Sequence, residues 1–208
     1  MALTAPREFE QEALKRGFLS ICGIDEAGRG PLAGPVVAAC VVLPTSLSVQ
    51  GIGDSKQLTP LQRDRLFPRI INSARGYGLG IVEADEIDRV NILNATHLAM
   101  RLAYSNLPDG LWCDLALIDG LPVRNFPITQ WAIVKGDSKS VSVAAASILA
   151  KVVRDRIMDE LHSLYPEYGF AQNRGYPSAT HLAALGRLGP CPAHRLSYKP
   201  VQAVCDRC

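Results

Sequence analysis

Five short apolar runs, each bounded by glycine, proline or polar residues, recur along the chain and predict five β-strands. Runs of this kind are typical of buried strands, whereas the longer stretches between them repeat apolar residues at a helical period. The first two runs follow each other directly, and the later ones alternate with helical stretches. This order predicts one mixed five-stranded sheet flanked by helices, an α/β fold. The predicted strands cover about residues 19–25, 36–43, 79–83, 115–120 and 131–137.

Helix boundaries are marked at several places in the sequence. The segment Thr59–Gln62 places a threonine at the cap, a proline at the first helical position and a glutamine three residues on, and predicts a helix to Ser73. Asp85 can cap a second helix, whose apolar residues recur near a 3.6-residue period as far as Leu102. Other helical patterns cover 140–164 and 178–188, and residues 1–17 predict either a helix or a loosely held arm.

Composition changes after Pro166, which ends the longest helical pattern. The segment 169–208 contains five lysines or arginines and a single acid, Asp206. We interpret residues 1–165 as the main α/β domain and residues 166–208 as a small helical C-terminal subdomain.

Bulk composition limits the class of protein without naming its function. The 208 residues are 48% hydrophobic and 20% charged, enough for one sizeable core, and the net charge of +2 does not by itself indicate a nucleic-acid-binding protein. The uncharged stretch 30–53 is interrupted by prolines and glycines and is too short to span a bilayer. Six scattered cysteines and the absence of a signal-peptide pattern near the N-terminus predict a cytoplasmic location.

Carboxylates follow three of the predicted strands. Asp25 and Glu26 end the first, Asp119 ends the fourth and Asp137 ends the fifth. In α/β sheets, functional sites gather at the carboxyl ends of strands, so these four side chains could meet. A cluster of carboxylates needs cations between its members, and oxygen ligands suit Mg²⁺ or Mn²⁺. The pattern alone is equally compatible with three unrelated surface acids at strand ends that form no common site.

The first acidic pair is followed by Gly28-Arg29-Gly30. Two glycines let backbone N–H groups approach a ligand closely, and an arginine suits a phosphate-type contact. The simpler alternative is a strand end that has reached solvent, with Arg29 as a nearby ion pair.

These residues also carry a resemblance to a known family. The segment 25–36, Asp-Glu-Ala-Gly-Arg-Gly-Pro-Leu-Ala-Gly-Pro-Val, resembles the signature of ribonuclease HII, the type 2 ribonucleases H. One departure is Tyr198, where the family usually has Phe, and the tail beyond Val201 matches no family pattern. Further segments resemble family blocks in family order: 54–58, 118–120, 135–140, 144–152 with 154–156, 173–177 and 194–201.

The resemblance implies a ribonuclease H-like fold and a set of site residues. It implies that Asp25, Glu26 and Asp119 bind metal, with Asp137 as the fourth catalytic and metal-binding acid. It further implies that the 2′-hydroxyl at an RNA–DNA junction is read by Gly28, Arg29, Gly30 and Tyr176. Tyr176 offers a ring face for stacking and a phenolic hydroxyl. Lysines that could contact phosphates are Lys56, Lys139 and Lys151.

We therefore expect an endonuclease that cuts the RNA strand of RNA–DNA hybrids and cuts 5′ to ribonucleotides embedded in duplex DNA. Two Mg²⁺ or Mn²⁺ ions are expected during catalysis, leaving 3′-hydroxyl and 5′-phosphate ends. The C-terminal subdomain would contribute to substrate recognition, and the protein would act as a monomer away from membranes. Alternatives are another ribonuclease H-fold DNA nuclease and a catalytically silent hybrid-binding module.

The cysteines and histidines, which are common metal ligands, give little support for a further metal site. Cys205 and Cys208 form a single CxxC pair at the chain end, which is weak support for zinc because no second pair accompanies it. The four histidines have no metal-ligand spacing, and we assign ordinary structural roles to His97, His162, His181 and His194.

Overall fold

A five-stranded sheet in the order β3-β2-β1-β4-β5 forms the centre of the computed structural model, which describes residues 4–45, 51–53 and 55–206. β2 lies antiparallel to both β1 and β3, while β4 lies parallel to both β1 and β5. The predicted mixed sheet is therefore confirmed. The strands are β1 Ile21–Ala27, β2 Val36–Val42, β3 Gly76–Val82, β4 Leu115–Asp119 and β5 Thr129–Ile133.

Helices cover both faces of the sheet. They are α1 Glu8–Lys15, α2 Pro60–Ser73, α3 Ala84–Val90, α4 Ile92–Ser105, α5 Val141–Leu164, α6 Phe170–Asn173, α7 Ala179–Leu188 and α8 Lys199–Cys205. The strand β2 is buried on both sides because its side chains alternate between two cores. Ala39 and Val41 pack against α5, whereas Ala38 and Cys40 pack with α4.

The predicted helix starts are confirmed where a side chain caps the backbone. Thr59 and Gln62 form a reciprocal capping box at α2, which satisfies two otherwise unpaired N–H groups. Ser140 caps α5 and Ser178 caps α7. At the N-terminus, α1 is held in place by Glu10, whose carboxylate accepts hydrogen bonds from the Ser140 hydroxyl at 2.5 Å and the Ser142 amide at 3.0 Å.

Several boundaries differ from the sequence-based prediction. β1 covers Ile21–Ala27 rather than about 19–25, and Asp85, the predicted cap, lies inside α3, whose N-cap is Glu83. β3 begins at Gly76 rather than near Leu79. The single helix predicted from Asp85 is two helices, because Asn91 adopts a φ of 67° and then caps α4. The strand predicted to reach Asp137 ends at Ile133, and Asp137 lies in a separate 3₁₀ turn, Gly136–Ser138.

The C-terminal residues form a group of short helices around their own small core. Tyr168, Phe170 and Ala184 pack there together with Met158 of α5, which connects this core to the main domain. The helix α8 extends beyond Val201, while Cys208 of the CxxC pair lies outside the described residues. The division of the chain at residue 165 stays a prediction. Among the described residues, the structure contains no helix long and apolar enough to cross a membrane.

Candidate active site

Two parallel neighbours, β1 and β4, bring carboxylates to one end of the sheet. Ile24 pairs with Ile118, so Asp25 and Asp119, the next residue on each strand, emerge side by side. Glu26 follows Asp25 directly, and all three acids line a cleft of about 220 Å³. The other residues lining the cleft are Ala27, Gly28, Arg29, Gly30, Ser55, Lys56, Ser147, Lys151, Arg154 and Tyr176.

Asp25 is the most deeply placed of the cleft acids, with 3% of its surface exposed. Burial raises the pKa of its carboxyl well above the ordinary value, and the charges of Glu26 and Asp119 raise it further. Two hydrogen bonds oppose this rise, one from the Glu26 amide at 2.7 Å and one involving the Ser147 side chain. The carboxylate is therefore oriented by donors but lacks a full counter-charge.

The carboxyl groups of Glu26 and Asp119 also have raised pKa values, for the same reason as Asp25. Burial raises the pKa of Glu26, an effect that Arg29 opposes through an ion pair of 3.4 Å. Burial also raises the pKa of Asp119, and the Gly136 amide opposes it by donating to Oδ1 at 2.6 Å. A cation entering the cleft would lower all of these pKa values, because its positive charge favours the ionised carboxylates.

Asp137 is brought near this group but does not line the cleft. It is buried, and its charge contributes to the raised pKa of Asp119. Its Oδ2 accepts a hydrogen bond from Lys56 Nζ at 3.1 Å. Lys56 does line the cleft, so this ion pair connects the fourth acid to the site.

The donor set fits Mg²⁺ or Mn²⁺ in chemical type, because carboxylate oxygens suit hard divalent ions. Within the described residues, no three histidine, cysteine, aspartate or glutamate side chains converge closely enough to form a ready-made metal site. Mg²⁺ does not need such a group, since it is commonly held by one or two carboxylates together with water and substrate phosphates. Asp25 and Asp119 directly follow Ile24 and Ile118, the last residues that pair β1 with β4, and are the residues best placed to hold it.

Tyr176 faces the glycine-rich loop across the cleft. A Cβ added to Gly30 would lie 3.5 Å from Cε1 of the Tyr176 ring, and the tyrosine is 47% exposed. Gly28 has a φ of 99°, a conformation that side chains disfavour. The structure thus brings the loop and Tyr176 together beside the acids, with Arg29, Gly30 and Tyr176 exposed and Gly28 buried.

The remaining predicted lysines have different surroundings. Lys151 donates to Asp155 at 2.7 Å, so it is already ion-paired at the edge of the cleft. Lys139 is exposed and lies outside the cleft.

Sequence reasoning missed a pair of serines under the acids. The hydroxyls of Ser55 and Ser147 are 2.8 Å apart, and both residues line the cleft. Ser147 belongs to the run of small residues at the start of α5, which lets that helix approach β1 closely. A serine within this run of small, buried residues was the feature of the sequence that could have indicated a polar contact beneath the acids.

Known proteins resemble this chain over almost its whole length. A family model described as Ribonuclease HII matches residues 22–201. A ribonuclease HII of Geobacter sulfurreducens is 52% identical over 195 residues, covering 94% of this chain and 89% of the relative. The crystal structure of ribonuclease H2 from Pyrococcus horikoshii OT3 has a TM-score of 0.77 and 29% identity, covering 91% of this chain and 98% of the other.

A third comparison concerns the fold alone. The structure of Bst-RNase HIII in complex with Mn²⁺ has a TM-score of 0.77 at 21% identity, covering 94% of this chain and 72% of that protein.

The mixed five-stranded sheet with flanking helices therefore defines a protein of the ribonuclease H fold class. Within that class, the chain belongs to the ribonuclease HII family. It is accordingly a ribonuclease H, a metal-dependent phosphodiester hydrolase that cleaves the RNA strand of RNA–DNA hybrids.

Proposed function

We propose that this enzyme also cuts on the 5′ side of single ribonucleotides embedded in duplex DNA, leaving 3′-hydroxyl and 5′-phosphate ends. The observation that carries the proposal is the placement of Gly30 and Tyr176 on the same acidic cleft, close enough that a Cβ added to Gly30 would lie 3.5 Å from the tyrosine ring. A loop of small residues lets the backbone approach a sugar closely, and a tyrosine offers a hydroxyl and a ring face, so this pair suits the reading of a sugar hydroxyl beside the catalytic acids.

Asp25, Glu26, Asp119 and Asp137 are the proposed catalytic and metal-binding acids. Two Mg²⁺ or Mn²⁺ ions would supply Lewis acidity and neutralise charge on the reacting phosphate. The protein contributes the placement of the carboxylates: Gly136 orients Asp119, and Lys56 orients Asp137. Burial keeps these acids in a region of low dielectric, where their charges act strongly on a bound cation.

Gly28, Arg29, Gly30, Lys56 and Tyr176 are the proposed substrate-binding residues. Arg29 is exposed at the cleft and could contact a phosphate oxygen, while the adjacent glycines admit the sugar edge. Tyr176 combines a ring face for stacking with a hydroxyl for the ribose. The site would discriminate strongly, because its polar groups would lose their partner when the 2′-hydroxyl is absent.

The wider setting follows from the proposed substrate. An enzyme that nicks DNA at a lone ribonucleotide would open ribonucleotide excision repair. We propose that it does so as a monomer in the cytoplasm, where its five described cysteines, all free, would stay reduced.

The test uses two end-labelled duplexes that differ only in one 2′-hydroxyl, each incubated with Mg²⁺ or Mn²⁺. We expect a single cut 5′ to the ribonucleotide, and survival of the all-DNA duplex, with a rate ratio on the order of 10⁴. Tyr176→Ala should slow the cut at the lone ribonucleotide. Equal cutting of both duplexes would exclude the proposal and favour a general DNA nuclease.

A further inference from the structure

Two buried arginines, Arg154 and Arg195, donate hydrogen bonds to backbone carbonyls of the segment that carries Arg29, and Arg195 contacts the part nearest Arg29. Arg195 is fully buried, and its guanidinium donates hydrogen bonds to the carbonyl oxygens of Gly28, Arg29, Pro31 and Gly34 at 2.6–3.0 Å. Within the described chain, no carboxylate lies within ion-pair distance of this guanidinium. The positive charge of Arg195 is therefore stabilised by the loop carbonyl oxygens to which its guanidinium donates hydrogen bonds.

The preceding residue, His194, connects to the other half of the recognition site. Its Nε2 lies 3.1 Å from Nε2 of His181, and Nδ1 of His181 lies 2.8 Å from the carbonyl oxygen of Tyr176. At the other end of this chain, the backbone amide of Cys191 donates to Nδ1 of His194 at 3.0 Å.

These contacts allow only one arrangement of protons. Nδ1 of His194 accepts from an amide, so a neutral His194 carries its proton on Nε2 and donates it to His181. His181 accepts on Nε2 and must carry its own proton on Nδ1, where it donates to the Tyr176 carbonyl. Both rings are buried, and burial lowers the pKa of His181 and lowers that of His194 to about 4, which keeps them neutral at neutral pH.

The backbone joins the same two halves. The amide of Arg195 donates to the carbonyl of Leu32, and the amide of Leu32 donates to the carbonyl of Gly175, both at 2.8 Å. Gly175 directly precedes Tyr176, and a Cβ on it would lie 2.4 Å from the carbonyl oxygen of Ala33. The two segments are therefore hydrogen-bonded and in close backbone contact at this point.

We propose that His194 and Arg195 are positioning residues that fix the glycine-rich loop and Tyr176 relative to each other. His181 connects His194 to the backbone of Tyr176. Arg195 fixes the loop through its carbonyls, and His194 fixes Tyr176 through His181. This inference rests on the proposed role of the loop and Tyr176 in reading a ribose hydroxyl. It adds three residues to that site, none of which touches substrate.

The first test is spectroscopic and needs only the intact wild-type protein. Long-range proton–nitrogen NMR of the imidazole rings distinguishes the two neutral tautomers. We expect the Nδ1–H form for His181 and the Nε2–H form for His194. Finding His181 in the Nε2–H form would overturn the proposal, because that form cannot donate to Tyr176.

The second test is a double-mutant cycle on the duplex with one ribonucleotide. His181→Leu removes the donor and should lower kcat/KM about tenfold, the loss expected for one hydrogen bond. His181→Asn places an amide donor near the same point and should recover most of this loss. In the Tyr176→Ala background, His181→Leu should change the rate less than about twofold.

A matched control is His97→Leu, which alters another buried histidine that lies on α4 outside the cleft. We expect it to leave kcat/KM on this substrate unchanged. Equal losses from His181→Leu in both backgrounds would mean that the histidine acts on general stability, and would overturn the positioning role. Failure of the proposed function would look different, since the wild type itself would then cut the all-DNA duplex.

Discussion

At the scale of single residues, burial decides the behaviour of the acids. The pKa values of Asp25, Glu26 and Asp119 are all raised, and burial is the largest cause for each. Neighbouring carboxylates add to the rise, while Arg29 and backbone amides only partly oppose it. Ionised together at neutral pH, these groups destabilise the folded protein unless a cation is bound between them.

The first prediction concerns catalysis. Asp25→Asn and Asp119→Asn should each abolish cleavage of an RNA–DNA hybrid while leaving hybrid binding largely intact. Each change removes a ligand charge without altering Arg29 or Tyr176, and every 1.4 kcal/mol or so of lost transition-state stabilisation lowers the rate about tenfold. Cleavage and gel-shift assays measure the two properties separately. Asp109→Asn, an exposed acid in a turn, serves as the control; near wild-type turnover in either site variant would refute the assignment.

The second prediction concerns pH. A carboxyl whose pKa is raised in the folded state binds its proton more tightly there than in the unfolded chain, so stability falls as pH rises from the ordinary values of 3.8 and 4.5 through the raised ones. In EDTA, wild type should therefore lose more unfolding free energy than Asp25→Asn between about pH 5 and about pH 8.

Urea titrations of both proteins across this range give the difference directly. At neutral pH in EDTA, Asp25→Asn should melt above wild type, because the substitution relieves like-charge repulsion. If the variant melted below wild type, internal cations would already be compensating Asp25.

At the scale of elements, local sequence predicted three of the helix caps but not the start of α3, where Asp85 lies inside the helix rather than at its cap. Capping is a short-range interaction, so Thr59, Ser140 and Ser178 were readable from the sequence. The start of β3 was not, because Gly76 and Gly78 resemble a turn when viewed alone. Gly78 and Gly80 in fact lie in the strand, against α4. Their Cβ atoms would lie 2.2 and 2.0 Å from carbonyl oxygens of α4, so these glycines serve close helix packing instead.

The break between α3 and α4 was hidden for a related reason. The apolar period runs on through Asn91, so hydrophobicity alone predicts one helix. Asn91 adopts a φ of 67°, and its side chain accepts a hydrogen bond from the Asn94 amide at 3.1 Å. Asparagine adopts a positive φ more readily than most residues, and the turn it makes depends on backbone geometry rather than on the apolar pattern.

The third prediction tests the contact between β1 and α5. A Cβ on Gly23 would lie 2.1 Å from the carbonyl carbon of Ser142, so Gly23→Ala must push the helix away. We expect a loss of about 1–3 kcal/mol or more in unfolding free energy, measured by urea denaturation. Activity should fall too, because α5 carries Ser147 beneath Asp25.

The control for this change is Gly186→Ala, on α7. A Cβ there would meet nothing within 4 Å, so alanine should stabilise the helix by roughly 0.5–1 kcal/mol. Similar effects of the two substitutions would contradict the close packing of α5 on β1.

At the scale of the whole molecule, the catalytic acids could be predicted from the sequence, but the residues that position the loop and Tyr176 beside them could not. Strand ends are visible in sequence, and parallel pairing of β1 with β4 unites Asp25 with Asp119. Much of the assignment also came from the family resemblance. Arg195 lies in a segment that resembles the family, but its role could not be predicted, because its partners are carbonyl oxygens more than 160 residues earlier in the chain. Buried histidines were likewise predicted to be structural, and only the fold shows that His181 contacts Tyr176.

The last prediction links metal binding to the stability of the whole fold. Mg²⁺ or Mn²⁺ should bind the native cleft and not the unfolded chain, since Asp25 and Asp119 come together only on folding. At 100 times its dissociation constant, such an ion contributes about 2.7 kcal/mol, which for a chain of this length raises Tm by roughly 5–10 °C. Thermal melts against metal concentration should show a saturable rise in wild type and a much smaller one in Asp25→Asn and Asp119→Asn. An equal rise in these variants and in Asp109→Asn would locate the stabilising ion away from the cleft.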